Sequence, residues 1–172
     1  MIHDAYEDAY LRQILCAVKR IAIVGASANE ARPSFFVTSY LIGKGFEVFP
    51  VNPGIAPKEI AGRMTYATLK DVPPPIDMVD IFRASEFAPA IVDEAIAIGA
   101  KVVWMQLGVR HDEAAAKAEA AGLKVVMNRC PKIEYGRLCG EISRQGVNSG
   151  ILSSKRPQRM DGFQHLKISD TK

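Results

Sequence analysis

Residues 20–27 read Arg20-Ile-Ala-Ile-Val-Gly-Ala-Ser27. A short apolar run, rich in β-branched side chains and closed by glycine, is the pattern of a strand buried on both faces. Small residues follow to Arg32, and Pro33 suits the first turn of a helix, where its missing N–H costs nothing. Phe35, Phe36, Tyr40 and Leu41 then recur at helical spacing as far as Gly43 or Gly45. This unit of strand, glycine turn and helix is repeated along the chain. A second strand is expected at Phe46–Val51, with its ladder failing at Pro50, and Asn52-Pro-Gly then makes a turn. Residues 55–75 are irregular, with a small strand near Met64–Tyr66 and a helical turn near Leu69–Val72. Met78–Phe82, Lys101–Leu107 and Lys124–Met127 are further strands. Helices are expected from an N-cap at Ser85 to Gly99, over His111–Ala121 and over Ile133–Gln145, with a leading helix at Asp4–Lys19 capped by Asp4. Alternation with short connections specifies an α/β fold: a doubly wound, mostly parallel five-stranded sheet with helices on both faces. Strand order 3-2-1-4-5 is expected. Such sheets bind ligands beyond the carboxyl ends of the strands where the order reverses, here after Gly25 and after Phe82.

Composition agrees with one folded domain. The chain has 172 residues, 48% of them hydrophobic and 24% charged, which supplies a core and excludes a disordered or collagen-like chain. The net charge of +3 arises from residues 149–172, where Lys155, Arg156, Arg159, Lys167 and Lys172 outnumber Asp161 and Asp170. The remainder is neutral, so no basic groove for nucleic acid is expected. We divide the chain into a domain at 1–148 and a mobile basic tail at 149–172. Cys16, Cys130 and Cys139 form no CxxC pair, so neither a zinc site nor a redox motif is indicated. A polar, acidic N-terminus unlike a signal peptide and the lack of a membrane-spanning apolar run point to the cytoplasm.

The chemistry concentrates at the strand ends. Backbone N–H groups over Gly25, Ala26 and Ser27 can receive a phosphate, helped by the Ser27 hydroxyl and the following helix. The alternative is a tight turn that binds nothing. A dinucleotide site wants G-x-G-x-x-G and an acid at the end of strand two for the ribose. Here Ser27 and Glu30 replace the second and third glycines, and strand two ends in Val51-Asn52-Pro53. That neutral end suits a flat adenine packed on Val51 and Pro53; otherwise it is a buried strand end and a rigid turn. Arg83, directly past a strand, is a phosphate candidate, with Arg32 in the loop and Lys58 beyond strand two. Each is alternatively a solvated surface charge.

Val24-Gly-Ala-Ser27, Val51-Asn-Pro53, Ile60-Ala-Gly-Arg63 with Tyr66, Asp77, Ile81-Phe-Arg83, Val103-Trp-Met-Gln106-Leu-Gly108, and Asn128-Arg-Cys130 with Glu134 occur in this order. From about Leu11 to about Ser143 the chain resembles the small CoA-binding domain proteins of bacteria and archaea. These are similar to the N-terminal CoA-binding domain of the succinyl-CoA synthetase α subunit. The resemblance implies a Rossmann-like fold that binds coenzyme A, with no established reaction for most members. It implies that Gly25–Ser27 hold the pyrophosphate and that Val51 and Pro53 flank the adenine. It also implies that Phe82 and Arg83 approach the nucleotide or the start of the pantetheine arm. Gln106 and Gly108, at the end of the fourth strand, then lie where that arm would run; a buried amide serving backbone groups is the equal alternative for Gln106.

No familiar catalyst is present: G-x-S-x-G, HExxH and GxxxxGK[ST] are all missing. His111 reads as a helix cap, Trp104 as core, and Cys130 with Glu134 as a packed thiol beside a helix-start acid. The relatives implied by the resemblance phosphorylate a histidine on a further domain, for which this chain is too short. The expectation is a CoA or acyl-CoA binding protein without independent catalysis: a carrier, sensor or regulatory subunit, with a homodimer or a partner enzyme. The alternatives are an NAD(P)-dependent oxidoreductase, a nucleotide-binding module, or an interaction module docking through its tail.

Overall fold

The structure is a computed structural model that describes residues 3–139. The expected basic tail, and the expected last helix beyond residue 139, lie outside the described residues. The elements run α1 (Asp8–Ala17), β1 (Arg20–Val24), α2 (Pro33–Gly43), β2 (Glu47–Val51), β3 (Glu59–Ile60), β4 (Arg63–Met64), β5 (Met78–Ile81), α3 (Ala88–Ala97), β6 (Val102–Met105), α4 (Asp112–Ala120), β7 (Lys124–Val126) and α5 (Pro131–Leu138). Five parallel strands form one sheet in the order β2-β1-β5-β6-β7, and β3 and β4 make a separate antiparallel pair.

The five-stranded parallel architecture is as expected, but the strand order is corrected. Counting only the strands of this sheet, it is 2-1-3-4-5. Ile23 of β1 sits between Pro50 of β2 and Asp80 of β5. Among the described residues nothing longer than a single bridge, Val51 to Tyr66, lies outside β2. Pro50 explains both this and a second correction. Glu47 N–H donates to Lys19 C=O and Gly25 N–H donates to Val51 C=O, so odd residues of β2 face β1. Pro50 therefore faces outward, where its missing N–H breaks nothing and its C=O accepts from Tyr66 N–H at 2.9 Å. The ladder survives Pro50, while a full outer strand would lack a donor there.

Alternating side chains build a core on each face of the sheet. Ala22, Val51, Val79, Ile81, Val103 and Met105 pack under α3 and α4. Ile21, Ile23, Val48, Met78 and Trp104 pack under α1, α2 and α5. Trp104 is fully buried, and its Nε1 donates to Arg129 C=O at 2.8 Å. Asp77 fastens the opening of the sheet: its carboxylate accepts from Lys19 and Arg20 N–H, both at 3.0 Å, and from Lys101 Nζ at 2.8 Å. Burial pulls the Asp77 carboxyl upward, but these donors outweigh it and hold it below the usual carboxylate range.

Two helix starts differ from expectation. α1 begins at Asp8 and not at Asp4, because Tyr6 OH accepts from Met127 N–H at 2.7 Å and Asp4 is taken by Arg110 Nη1 at 2.6 Å. Ser85 does not cap α3. It opens a short 3-10 turn over Ser85–Phe87, and its Oγ accepts from Arg110 N–H at 3.0 Å. His111 does cap α4, accepting from Ala114 N–H at 3.2 Å. No helix among the described residues is long and apolar enough to cross a membrane.

Candidate functional site

β1 leaves the sheet through Gly25, whose φ is +86°. A Cβ built there would stand 2.7 Å from Phe82 O and 2.9 Å from Arg83 Cδ. Only glycine lets the end of β1 pass so close beneath the end of β5. Asn52, past the end of β2, ties the turn in place. Its Nδ2 donates to Ala26 C=O at 2.7 Å, and its Oδ1 accepts from Gly54 N–H at 2.9 Å. The loop beyond is also internally braced: Ser27 Oγ accepts from Asn29 N–H, and Asn29 Oδ1 accepts from Ala31 N–H. Ala26 and Ser27 N–H make no hydrogen bond among the described residues.

Beside this turn, on the α3 face of the sheet, opens a cleft of about 300 Å³. Val24, Gly25 and Val51 line it, with Asn52 and Pro53 at the end of β2. Thr68 and Leu69 enter from the irregular segment, and Arg83, Phe87, Ile91 and Glu94 from the β5–α3 side. The Arg83 guanidinium lies over the Phe87 ring, 4.5 Å from its centroid. Phe87 is a large apolar side chain that remains 43% exposed. The lining is mostly apolar, with a few polar groups at its margin, as small-molecule sites commonly are.

Gly25, Val51, Asn52, Pro53 and Arg83 are thus brought together. The other expected residues stand elsewhere. Ala26 is buried in the core of the opposite face, which Phe82 also joins. Ser27 is half-buried in the loop, and Arg32 is exposed in the cap position of α2. Lys58 is exposed just before β3. Gly108 N–H donates to Asn128 Oδ1 at 2.9 Å. Gln106 is buried, and its Nε2 reaches both carboxylate oxygens of Asp80 at 3.0 Å. Asp80 has no exposure at all, and burial pushes its carboxyl up to about 8 against the opposing Gln106 hydrogen bond. Cys130 is buried too, and burial raises its thiol. Among the described residues no group of His, Cys, Asp and Glu could hold a metal ion.

Thr68, Phe87, Ile91 and Glu94 are not among the expected site residues. Phe87 and Ile91 share the apolar spacing of α3 and read as core. The 3-10 turn before α3 swings Phe87 outward, and no local signal in the sequence marks that turn.

A doubly wound, Rossmann-like α/β domain with an apolar cleft at its switch point is the class that this fold and site define. Residues 19–136 match the model of the CoA binding domain family, and the chain belongs to that family. It is 36% identical over 127 residues to the uncharacterized protein YneT of Bacillus subtilis, covering 74% of this chain and 93% of that one. A hypothetical protein from Pyrococcus horikoshii OT3 has a similar structure, with TM-score 0.76 and 42% identity over 80% of this chain and 95% of that chain. The α subunit of an ADP-forming acetate–CoA ligase of Pyrococcus furiosus is 33% identical over 89 residues, which is 49% of this chain but 19% of that subunit.

Proposed function

We propose that this protein binds coenzyme A or an acyl-CoA in the cleft at the β1/β5 switch point and presents it to a partner enzyme, without turning it over alone. The observation that carries the reading is the join of β1 and β2. Gly25 leaves no room for a side chain at the exit of β1, and Asn52 holds the adjoining turn so that the N–H of half-buried Ser27 is left for a ligand. A pyrophosphate would take that N–H. The adenine would lie on Val51 and Pro53 against Phe87, and Arg83 at the rim would meet phosphate or the start of the pantetheine arm. Arg32 and Lys58, both exposed, are the further cations available to a second phosphate. Coenzyme A supplies a thiol that carries acyl groups; this chain's part is to grip its nucleotide end.

Membership of the CoA binding domain family supports the ligand, and the partial match to a CoA ligase subunit supports delivery to a larger enzyme. The end of β2 supports coenzyme A over NAD, because Val51, Asn52 and Pro53 provide no acid for a ribose diol. Isothermal titration of coenzyme A into the wild-type protein and Arg83→Ala, at low and high salt, tests the reading. Saturable binding that Arg83→Ala weakens, and weakens more at low salt, is the expected result. Absence of any saturable heat in the wild type at both salt concentrations would overturn it.

A further inference from the structure

The three thiols stand in different settings. Cys130 is buried at the start of α5, whereas Cys16 is exposed on the last turn of α1 and Cys139 is half-buried directly after α5. Separated by 123 positions in sequence, Cys16 Sγ and Cys139 Sγ lie 3.6 Å apart. Two sulfurs at that distance are in van der Waals contact, and a disulfide brings them to about 2.0 Å. Ion pairing already fixes the two helices to each other, since Arg137 of α5 reaches Asp8 of α1 at 2.6 Å.

We infer that Cys16 and Cys139 form a reversible oxidation site, closing to an intramolecular disulfide at the expense of a low-molecular-weight disulfide. Cys16, the accessible member, attacks one sulfur of the incoming disulfide as its thiolate. That S–S bond breaks, one thiol leaves, and a mixed disulfide remains on Cys16. Cys139 then gives its proton to solvent and attacks Cys16 Sγ, which expels the second thiol. Two protein thiols are oxidised and one disulfide is reduced to two thiols. The order of events follows the surroundings. Burial and the neighbouring Cys16 push the Cys139 thiol up to about 11, with the Arg12 guanidinium opposing, so Cys139 holds its proton until the mixed disulfide forms. The pair lies away from the cleft. Cys16 precedes the first residue of β1, and α5 returns from the carboxyl end of β7 to finish at Leu138, just before Cys139. Oxidation therefore staples α1 to α5 at the amino-terminal end of the sheet and limits the freedom of the unfolded chain, leaving the cleft as it is.

The full chain, first reduced, is incubated in glutathione and glutathione disulfide mixtures, acid-quenched and mapped by mass spectrometry. The expected product lacks two hydrogens per chain and joins the Cys16 and Cys139 peptides. It should exceed the glutathione adduct by at least about tenfold. Its melting midpoint should lie above that of the reduced chain and return with dithiothreitol. Cys16→Ser should show neither the cross-link nor the shift. The same mixtures applied to the chain unfolded in guanidinium should lose the preference for this pair. A stable adduct on Cys16 without closure, a cross-link through Cys130, disulfide-linked dimers or an unchanged midpoint would each overturn the inference.

Discussion

Gly25 shows how the lack of a side chain shapes the candidate cleft. At a φ of +86°, with Phe82 O and Arg83 Cδ within 3.0 Å of any Cβ, alanine meets both a backbone penalty and a steric one. Gly25→Ala should cost about 1–3 kcal/mol and remove binding at the cleft, measured by urea unfolding and by titration of coenzyme A. A variant as stable as the wild type would show that the two strand ends separate freely. Asp80 makes a different kind of claim. Its folded-state pKa of about 8 lies above its unfolded value, so in between the folded state holds a proton that the unfolded state has lost. Stability should therefore fall by a few kcal/mol as pH rises from about 4 to about 8, and level off above that. Asp80→Asn should flatten this slope in a series of urea melts. An unchanged slope would mean that another group carries it.

At the level of elements, α5 is held by a buried carboxylate. Glu134 has no exposure, and its Oε2 accepts from Arg137 Nη2 at 2.7 Å and Nε at 3.0 Å. Its Oε1 has no hydrogen-bond partner among the described residues, with Arg129 Nε at 3.7 Å. Arg137→Ala should leave that charge largely uncompensated and cost about 3–5 kcal/mol in chemical unfolding. A loss below about 1 kcal/mol would mean that Arg129 takes over the pairing. Elements are also where reading from sequence reached its limit. Every strand of the main sheet was legible, because each is a short apolar run rich in β-branched residues. The starts of α1 and α3 were not. Each is set by a contact from far along the chain: Arg110 takes both Asp4 and Ser85, and Met127 N–H takes Tyr6. The expected order places a further strand outside β2, but Pro50 turns its missing N–H to that edge and offers such a strand no donor.

For the whole molecule, the candidate cleft was legible where it is made of strand ends and illegible where it is made of facing walls. Gly25, Val51-Asn52-Pro53 and Arg83 follow strands and could be found by position. Thr68, Phe87 and Glu94 reach the cleft only through packing of separate segments. The Cys16–Cys139 approach is a tertiary fact of the same kind. The proposed preference of the cleft is for coenzyme A over a nicotinamide dinucleotide. It is tested most directly by thermal melting of the full chain with equal concentrations of coenzyme A and NAD. A ligand at about 100 times its Kd should stabilise the native state by about 2.7 kcal/mol. The expected result is a raised midpoint with coenzyme A and none with NAD; a rise with NAD and none with coenzyme A would contradict it.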